Sequence, residues 1–463
     1  MLTLAQAAQA LGATVVGPDA RFESVSTDSR TIERGGLFVA LRGDKFDGHD
    51  YVGAARERGA AAAMVERVAG VASQAAGMPL LVVGDAKLAL GALAKHWRGR
   101  FRIPAIGVVG SNGKTTVKEM LAACLREHFG AARVLATAGN LNNDIGLPLT
   151  CLRLRDAHAC AVLEIGMNHP GETGHLAGIA QPTIALINNA QREHQEFMKS
   201  VDEVAAEHGA LVRALPRDGV AVLNRDDAHF DYWRDLAGAR TVRDFGLRTD
   251  ATVRAFVRAG GAATELELVT AAGGVAVTLH APGLHNVRNA LAAAAAATAA
   301  GASLDAVARG LAAFRPVKGR LQPKPGRNGV VVIDDTYNAN PDSVRAALDV
   351  LAASERPRVL VLGDMGEVGT QGQAFHEEFG RYAKEAGVDR LISVGALART
   401  AARAFGAGGE HLGSIEAVIA RAQGLTALKG TILVKGSRFM RMERVVQAIT
   451  ARAQQNKEEP HAA

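Results

Sequence analysis

The 463-residue chain is 48% hydrophobic and 22% charged, the balance of a soluble globular protein too long for one ordinary core, so two or three domains are expected. Its formal net charge of +6 is scattered rather than gathered into a basic stripe with aromatics, which make up only 4% of residues, and this excludes a nucleic-acid footprint. No apolar run reaches membrane-spanning length, the N-terminus lacks a basic region followed by a long apolar segment, and the three cysteines (Cys124, Cys151, Cys160) show no C-x-x-C spacing, so membrane insertion, secretion and a zinc site are all unsupported and the thiols read as reduced core residues.

Residues 1–85 alternate short helical and strand patterns and predict a small α/β domain. Its strand-like run Leu37 to Leu41 ends in a polar loop holding Arg42, Lys45, Asp47 and His49. On its residues alone such a loop reads as a solvated connection, with a ligand site at the strand ends of an open sheet as the alternative.

Residues 86–318 form a second section. The apolar run Ile103 to Val109 feeds Gly110-Ser-Asn-Gly-Lys-Thr-Thr116, and a helix-like stretch begins at Lys114. Glycines let backbone N–H groups converge on phosphate oxygens, Lys114 adds a point charge, Thr115 offers a hydroxyl to Mg²⁺, and the helix N-terminus adds partial positive charge, so a nucleoside triphosphate is the expected ligand. The spacing is G-x-x-G-K-T, because Val108 stands where the longer G-x-x-x-x-G-K-[ST] places its first glycine. Two further apolar strands follow, Ala161 to Ile165 and Thr183 to Ile187, separated by helical patterns, which implies parallel βαβ winding. Glu164 near the end of the first is suited to hold Mg²⁺ beside a phosphate loop, or is a buried glutamate with a capping partner. His194, past the second, reads as a metal ligand or as a hydrogen-bonded loop histidine. Gly260-Gly261 and Gly273-Gly274 suggest hairpins, and Asn286 reads as the N-cap of an alanine-rich helix, a place from which it could also contact a base.

Residues 319–463 form the third section, after a Pro- and Gly-rich stretch (315–329) that reads as a linker. Strands at Val330 to Ile333, Arg358 to Leu362, Arg390 to Val394 and Thr431 to Val434 alternate with helices in a Rossmann-like pattern, with no G-x-G-x-x-G to bind a dinucleotide. Three strand ends carry polar clusters, Asp334 to Pro341, Gly363 to Glu367 and Lys435 to Arg438, and a doubly wound sheet brings such ends to one crevice. The tail from about 454 is polar and expected to fray.

Taken together, Gly110-Ser-Asn-Gly-Lys-Thr-Thr116, Gly139-Asn-Leu-Asn-Asn-Asp-Ile-Gly-Leu-Pro148, Glu164-Ile-Gly-Met-Asn168, Asp334-Asp-Thr-Tyr-Asn-Ala-Asn-Pro341 and Lys435-Gly-Ser-Arg438 closely resemble the Mur ligases of bacterial peptidoglycan synthesis, over nearly the whole chain. The resemblance implies a small N-terminal UDP-sugar domain, a central ATPase domain with a parallel sheet and a C-terminal Rossmann-like domain. It implies an enzyme that uses ATP and Mg²⁺ to join D-alanyl-D-alanine to UDP-N-acetylmuramoyl-tripeptide through an acyl phosphate; the reduced thiols suit a cytoplasmic location, and a monomer is the default oligomeric state. By motif, Gly110, Ser111, Asn112, Gly113, Lys114, Thr115 and Thr116 hold the phosphates. Thr115, Glu164 and His194 belong to the metals, Asn286, Asp335 and Asn338 meet adenine and ribose, and Arg320 reaches the phosphates from the domain junction. Substrate contacts are implied for Ser29, Arg30, Lys45, Phe46, Asp47, His49, Thr137, Asn140, Asn142, Asn143, Asn340, Lys435, Ser437 and Arg438. One position departs from the family: many members carry a CO₂-carbamylated lysine where this chain has His208, so no lysine carbamate is expected here. Folylpolyglutamate synthetase-like ligases share the loop and the chemistry, but begin close to their ATP domain and lack the first 85 residues. A noncatalytic nucleotide switch is the reading from another class, and the third section argues against it.

Overall fold

The computed structural model describes residues 1–248, 250–258 and 263–450, with the side chains of 422 and 423 set aside. The expected hairpin glycines Gly260-Gly261 and the tail from 454 lie outside the described residues.

Near the N-terminus, strands β1 (Thr14–Val16), β2 (Ser24–Ser26), β3 (Gly36–Val39), β4 (Ala62–Val65) and β5 (Leu80–Val82) form a sheet ordered β1-β5-β4-β3-β2, in which only β1 runs antiparallel to its neighbour. β3 and β4 are buried throughout, as parallel strands covered on both faces must be. Alternate side chains belong to different cores. Phe38, Ala63 and Val65 pack into a local cluster, whereas Leu37, Val39 and Met64 join a larger one that continues through Leu90, Trp97 and Ala105 into the next section.

The central sheet is fully parallel. Its strands are β6 (Ala105–Val109), β7 (Val134–Ala136), β8 (Cys160–Glu164), β9 (Ile184–Ile187), β10 (Val220–Asn224) and β11 (Thr241–Phe245), ordered β7-β8-β6-β9-β10-β11. The chain goes to one side of β6 and then returns to the other, so the end of β6 is a topological switch point, where ligands enter open α/β sheets. Helix α1 (Lys114–Phe129) leaves that point; α2 (Val201–Arg213) follows β9.

A three-stranded antiparallel sheet, β12 (Arg254–Arg258), β13 (Thr264–Thr270) and β14 (Gly273–Leu279), precedes α3 (Leu284–Ala299). Ala292 to Ala297 of α3 are fully buried in the same core as Val117, Met120 and Leu121 of α1. Small side chains let the helix backbones approach closely. At Gly310 of α4 (Leu304–Ala313) even one methyl group would fall 2.5 Å from the backbone of Cys124 in α1. All three cysteines are free and buried, and burial pushes their thiols up to about 12.

The third sheet is ordered β15-β16-β20-β17-β18-β19, from β15 (Gln322–Pro325), β16 (Val331–Asp335), β17 (Arg358–Gly363), β18 (Arg390–Val394), β19 (Gly409–Leu412) and β20 (Thr431–Lys435). Only β15 is antiparallel. It comes from the stretch expected as a linker: Pro323 and Pro325 cannot serve a central strand, but an edge strand tolerates them. Helices α5 (Pro341–Ala352) and α6 (Gly372–Glu385) pack against this sheet, and the N-terminus of α5 turns toward the end of β6.

Candidate active site

The phosphate-type loop is built by two glycines with positive φ, Gly110 (+144°) and Gly113 (+82°). Gly113 has no alternative. A side chain there would fall 2.4 Å from Asn289 Oδ1 and 2.7 Å from Asn188 Nδ2. These two amides hold the loop from beneath: Asn188 Nδ2 donates to Asn112 O (2.8 Å) and Asn289 Oδ1 (3.0 Å), and Asn289 Nδ2 donates to Asn286 Oδ1 (3.1 Å). Among the described residues no side chain caps α1, which leaves its first N–H groups and its dipole free to serve an anion. Lys114 folds back, donating from Nζ to Gly110 O (2.5 Å), and lies 3.5 Å from Glu193 Oε2.

Thr115 Oγ1 donates to Glu164 Oε1 (3.2 Å) and accepts from Arg320 Nη2 (3.0 Å). The Arg320 guanidinium lies 4.1 Å from the centre of the Tyr337 ring, which fixes its direction across the cleft. Glu164 is buried; its N–H donates to Thr137 Oγ1 (3.0 Å) and its Oε1 also accepts from Asn142 Nδ2 (2.7 Å). Thr137 thus orients Glu164 from behind. Glu164 Oε2 is buried with no partner among the described residues. A free carboxylate oxygen beside a hydroxyl is a hard-oxygen donor set that fits Mg²⁺, which commonly binds through one or two protein groups plus phosphates and water. Among the described residues no three His, Cys, Asp or Glu side chains converge as a closed metal cage.

Glu193 is a cleft residue that no motif in the sequence marks. It is 5% exposed, with Oε1 3.2 Å from His208 Nε2 and Oε2 within 3.5 Å of Lys114 Nζ and 3.7 Å of His194 Nε2. Burial pushes its carboxyl up, but Lys114 first, then His208 and His194, outweigh burial and hold it well below the usual carboxylate range. The signal available in the sequence was its place one residue before His194. His208 is 1% exposed, and among the described residues its ring nitrogens meet only the off-angle contact to Glu193. His194, at φ +49°, presents Nδ1 to Glu367 Oε2 at 2.6 Å, a contact that lowers the Glu367 pKa. Its imidazole therefore sits between two carboxylates contributed by different sheets.

A cleft of about 1080 Å³ brings Ser111 to Thr116, Asn142, Asn143, Glu164, His194 and Arg320 together with Asn286, Asp335, Asn338, Asn340 and Lys435. Such a volume accommodates a nucleotide with room beside it. Asp335 accepts from Leu321 N (3.1 Å) through Oδ1 and from Lys435 Nζ (2.5 Å) through Oδ2; Lys435 also donates to Asn338 O (2.9 Å). Asn340 caps α5 through Ser343 N and exchanges amide hydrogen bonds with Asn112 of the loop (3.0 and 3.3 Å). Asn286 is not the helix cap expected from the sequence. The helix begins earlier, after Gly283, and Asn286 sits in its first turn with Nδ2 donating to Pro282 O (2.7 Å) and Oδ1 engaged by Asn289. Neighbouring His285 is partly buried on the wall of the cleft, its Nε2 buried and without a hydrogen-bond partner among the described residues, and burial lowers its pKa to about 4.

Other expected substrate residues lie off this cleft. Asn140 is exposed, while Ser437 is buried and locked between Gly366 N (2.7 Å) and Ala339 O (3.2 Å). Arg438 is exposed and paired with Glu443 (3.1 Å). In the N-terminal section Arg30 is held by Asp28 (2.8 Å), Ser29 is buried, and Lys45 and Phe46 are exposed. His49 is buried, with Nδ1 on Asp47 Oδ1 (2.6 Å) and Nε2 accepting from Glu66 N (2.9 Å). Both ring nitrogens are occupied, so His49 holds Asp47 in place and offers no free ring nitrogen there.

Three family descriptions match the chain: "Mur ligase family, catalytic domain" over residues 21–98, "Mur ligase middle domain" over 108–297 and "Mur ligase, glutamate ligase domain" over 319–438. The UDP-N-acetylmuramoyl-tripeptide--D-alanyl-D-alanine ligase of Escherichia coli is 41% identical over 453 residues, covering 97% of this chain and 98% of the relative. Among solved structures, MurF from Acinetobacter baumannii superposes with a TM-score of 0.88 at 33% identity, covering 96% of this chain and 98% of that one. MurF ligase from Thermotoga maritima in complex with ADP does so with 0.79 at 26% identity, covering 92% and 97%.

Proposed function

The chain belongs to the Mur ligase family, and from that premise we propose that it is the ATP-dependent ligase that joins D-alanyl-D-alanine to UDP-N-acetylmuramoyl-tripeptide, acting in the cytoplasm as a monomer. The observation that carries this reading is the single cleft in which the phosphate loop, Glu164, Arg320 and the Asp335–Lys435 pair converge from two sheets. No helix is long and apolar enough to cross a membrane among the described residues.

A carboxylate is a poor electrophile. Transfer of the γ-phosphoryl of ATP to the terminal carboxylate of the tripeptide breaks the β–γ bridge and yields an acyl phosphate and ADP. The free amine of D-alanyl-D-alanine then attacks the acyl carbon, forming the peptide bond, expelling inorganic phosphate and losing one proton. Charge accumulates on the transferred phosphoryl, so positioning and electrostatics are the protein's contribution. The α1 N-terminus and Lys114, released from Gly110 O, face the phosphates, and Arg320 approaches from the opposite wall. Thr115 and Glu164 would hold Mg²⁺, which supplies charge neutralisation on the phosphates. Asn286, Asp335 and Asn338 serve the nucleoside, and Asn142, Asn143, Asn340 and Lys435 lie where the acceptor carboxylate and the dipeptide come together. Ser29, Arg30, Lys45, Phe46 and Asp47 serve the UDP-sugar on the N-terminal section.

A phosphate-release assay tests the proposal. Turnover is expected only when UDP-N-acetylmuramoyl-tripeptide, D-alanyl-D-alanine, ATP and Mg²⁺ are all present, with formation of the UDP-linked pentapeptide. Turnover with a folate and glutamate instead, or nucleotide binding without turnover, would overturn it.

A further inference from the structure

We infer that Arg192 is a positioning residue that latches the C-terminal section onto the phosphate loop, so that nucleotide-site geometry and closure of the cleft are coupled through the segment that carries it. The inference rests on the ligase reading, because it assigns the latch to the step in which the acyl phosphate must be shielded from water.

Arg192 stands in the segment after β9 yet spends its whole guanidinium on the third sheet's helices. Its backbone N–H donates to Asp342 Oδ2 (2.8 Å), Nη2 to Asp342 Oδ1 (2.8 Å) and Nη1 to Glu378 Oε2 (3.0 Å). The guanidinium also lies 5.3 Å from the centre of the Phe375 ring. Asp342 is in the first turn of α5 and Glu378 lies on α6, so a single planar fork ties two helices to one loop. Arg345 donates to Glu378 Oε1 (2.8 Å), which leaves two carboxylates shared between two guanidinium groups and no net charge in the cluster.

The other side of the segment grips the phosphate loop. Gln191, one residue earlier, donates its N–H to Ser111 Oγ (2.8 Å) and accepts from Asn112 Nδ2 (2.7 Å) through Oε1. Glu193 and His194, the next two residues, meet Lys114 and Glu367. Residues 191–194 therefore touch the loop and the C-terminal section alternately, and Asn340, two residues before Asp342, closes the circuit by pairing with Asn112. With all of these formed, docking of α5 and the placement of Asn112 and Lys114 are one event. A lysine at 192 would keep the charge but could not bridge both carboxylates in a plane.

The test labels cysteines introduced at exposed Asp218 and Glu385 for energy transfer, which the three buried native thiols do not disturb. The closed fraction is measured with and without a non-hydrolysable ATP analogue, beside steady-state phosphate release. Arg192→Ala is expected to shift the open–closed ratio about tenfold toward open, the scale of one lost ion-pair cluster at a partly exposed interface. It should also lower kcat about tenfold and leave the KM for the UDP-linked tripeptide within twofold. Arg192→Lys should fall between. Asp342→Asn should reproduce part of the shift, and adding it to Arg192→Ala should change little more, because the two act through one contact. An Arg192→Ala protein with the wild-type closed fraction overturns the latch whatever its activity, and so do fully additive effects of the two substitutions. A wild-type protein that closes on nucleotide but releases no phosphate with both substrates overturns the ligase reading instead.

Discussion

His285 gives the fold a measurable acid sensitivity. The residue is partly buried, with Nε2 shut off from solvent; its ring packs against Gly283, where an added side chain would fall 2.5 Å from Cε1 and 2.9 Å from Val350 on α5. Burial is the dominant influence and lowers the pKa from 6.5 to about 4; Asp335 and Asp349 oppose it and Arg288 and Lys435 add to it. A depressed histidine is neutral in the fold while the unfolded chain still takes up a proton, so stability is unaffected above pH 6.5 and is lost as pH falls from there toward 4. A shift of about 2.5 units at 1.36 kcal/mol per unit amounts to about 3 kcal/mol by pH 4. The perturbation is His285→Asn, and the assay is urea denaturation of both proteins at pH 7.0, 5.5 and 4.5. The wild type should lose about 2–3 kcal/mol more than the variant between the extremes, whatever the variant loses uniformly through packing. Parallel pH profiles would refute the reasoning, since they would mean that the ring protonates equally in both states.

Gly113→Ala places a methyl group against Asn289 and Asn188 at a φ that L-residues avoid, so a stability loss of about 2–4 kcal/mol is expected, together with at least a tenfold rise in the KM for ATP. Thermal melts and initial rates check both. Lys114→Ala should cut phosphate release by about 10²-fold or more while UDP-N-acetylmuramoyl-tripeptide binding, read by calorimetry, stays within threefold; equal loss of both would show that the two sites are not separable. His208→Lys should not abolish turnover, and wild-type activity should survive in CO₂-depleted buffer. Loss that bicarbonate restores would show that a carbamate is required after all.

Much of the site was legible because its chemistry is local. The loop glycines, Lys114 and Thr115 announce themselves through spacing, and the strand that precedes them is an unbroken apolar run, as a doubly covered parallel strand must be. What escaped the sequence is what depends on distant pairing. Glu193 acquires meaning only when β9, α2 and the loop bring Lys114, His194 and His208 around it, residues up to 94 positions apart in the chain. Asn286 looked like a cap because capping is read from neighbours; Gly283 sets the helix start, and the amide is recruited by Asn289 and, through it, by Asn188 in another element. The 315–329 stretch looked like a linker because prolines discourage strands, yet an edge position frees their missing N–H from any ladder duty. These differences share one cause. For Glu193 and the 315–329 stretch the partner itself is supplied by the tertiary fold, and for Asn286 it is the next link, from Asn289 to Asn188, that is. The loop is the one part of this cleft whose sequence is self-sufficient, and the amides and carboxylates that brace it are the part that only the assembled sheets reveal.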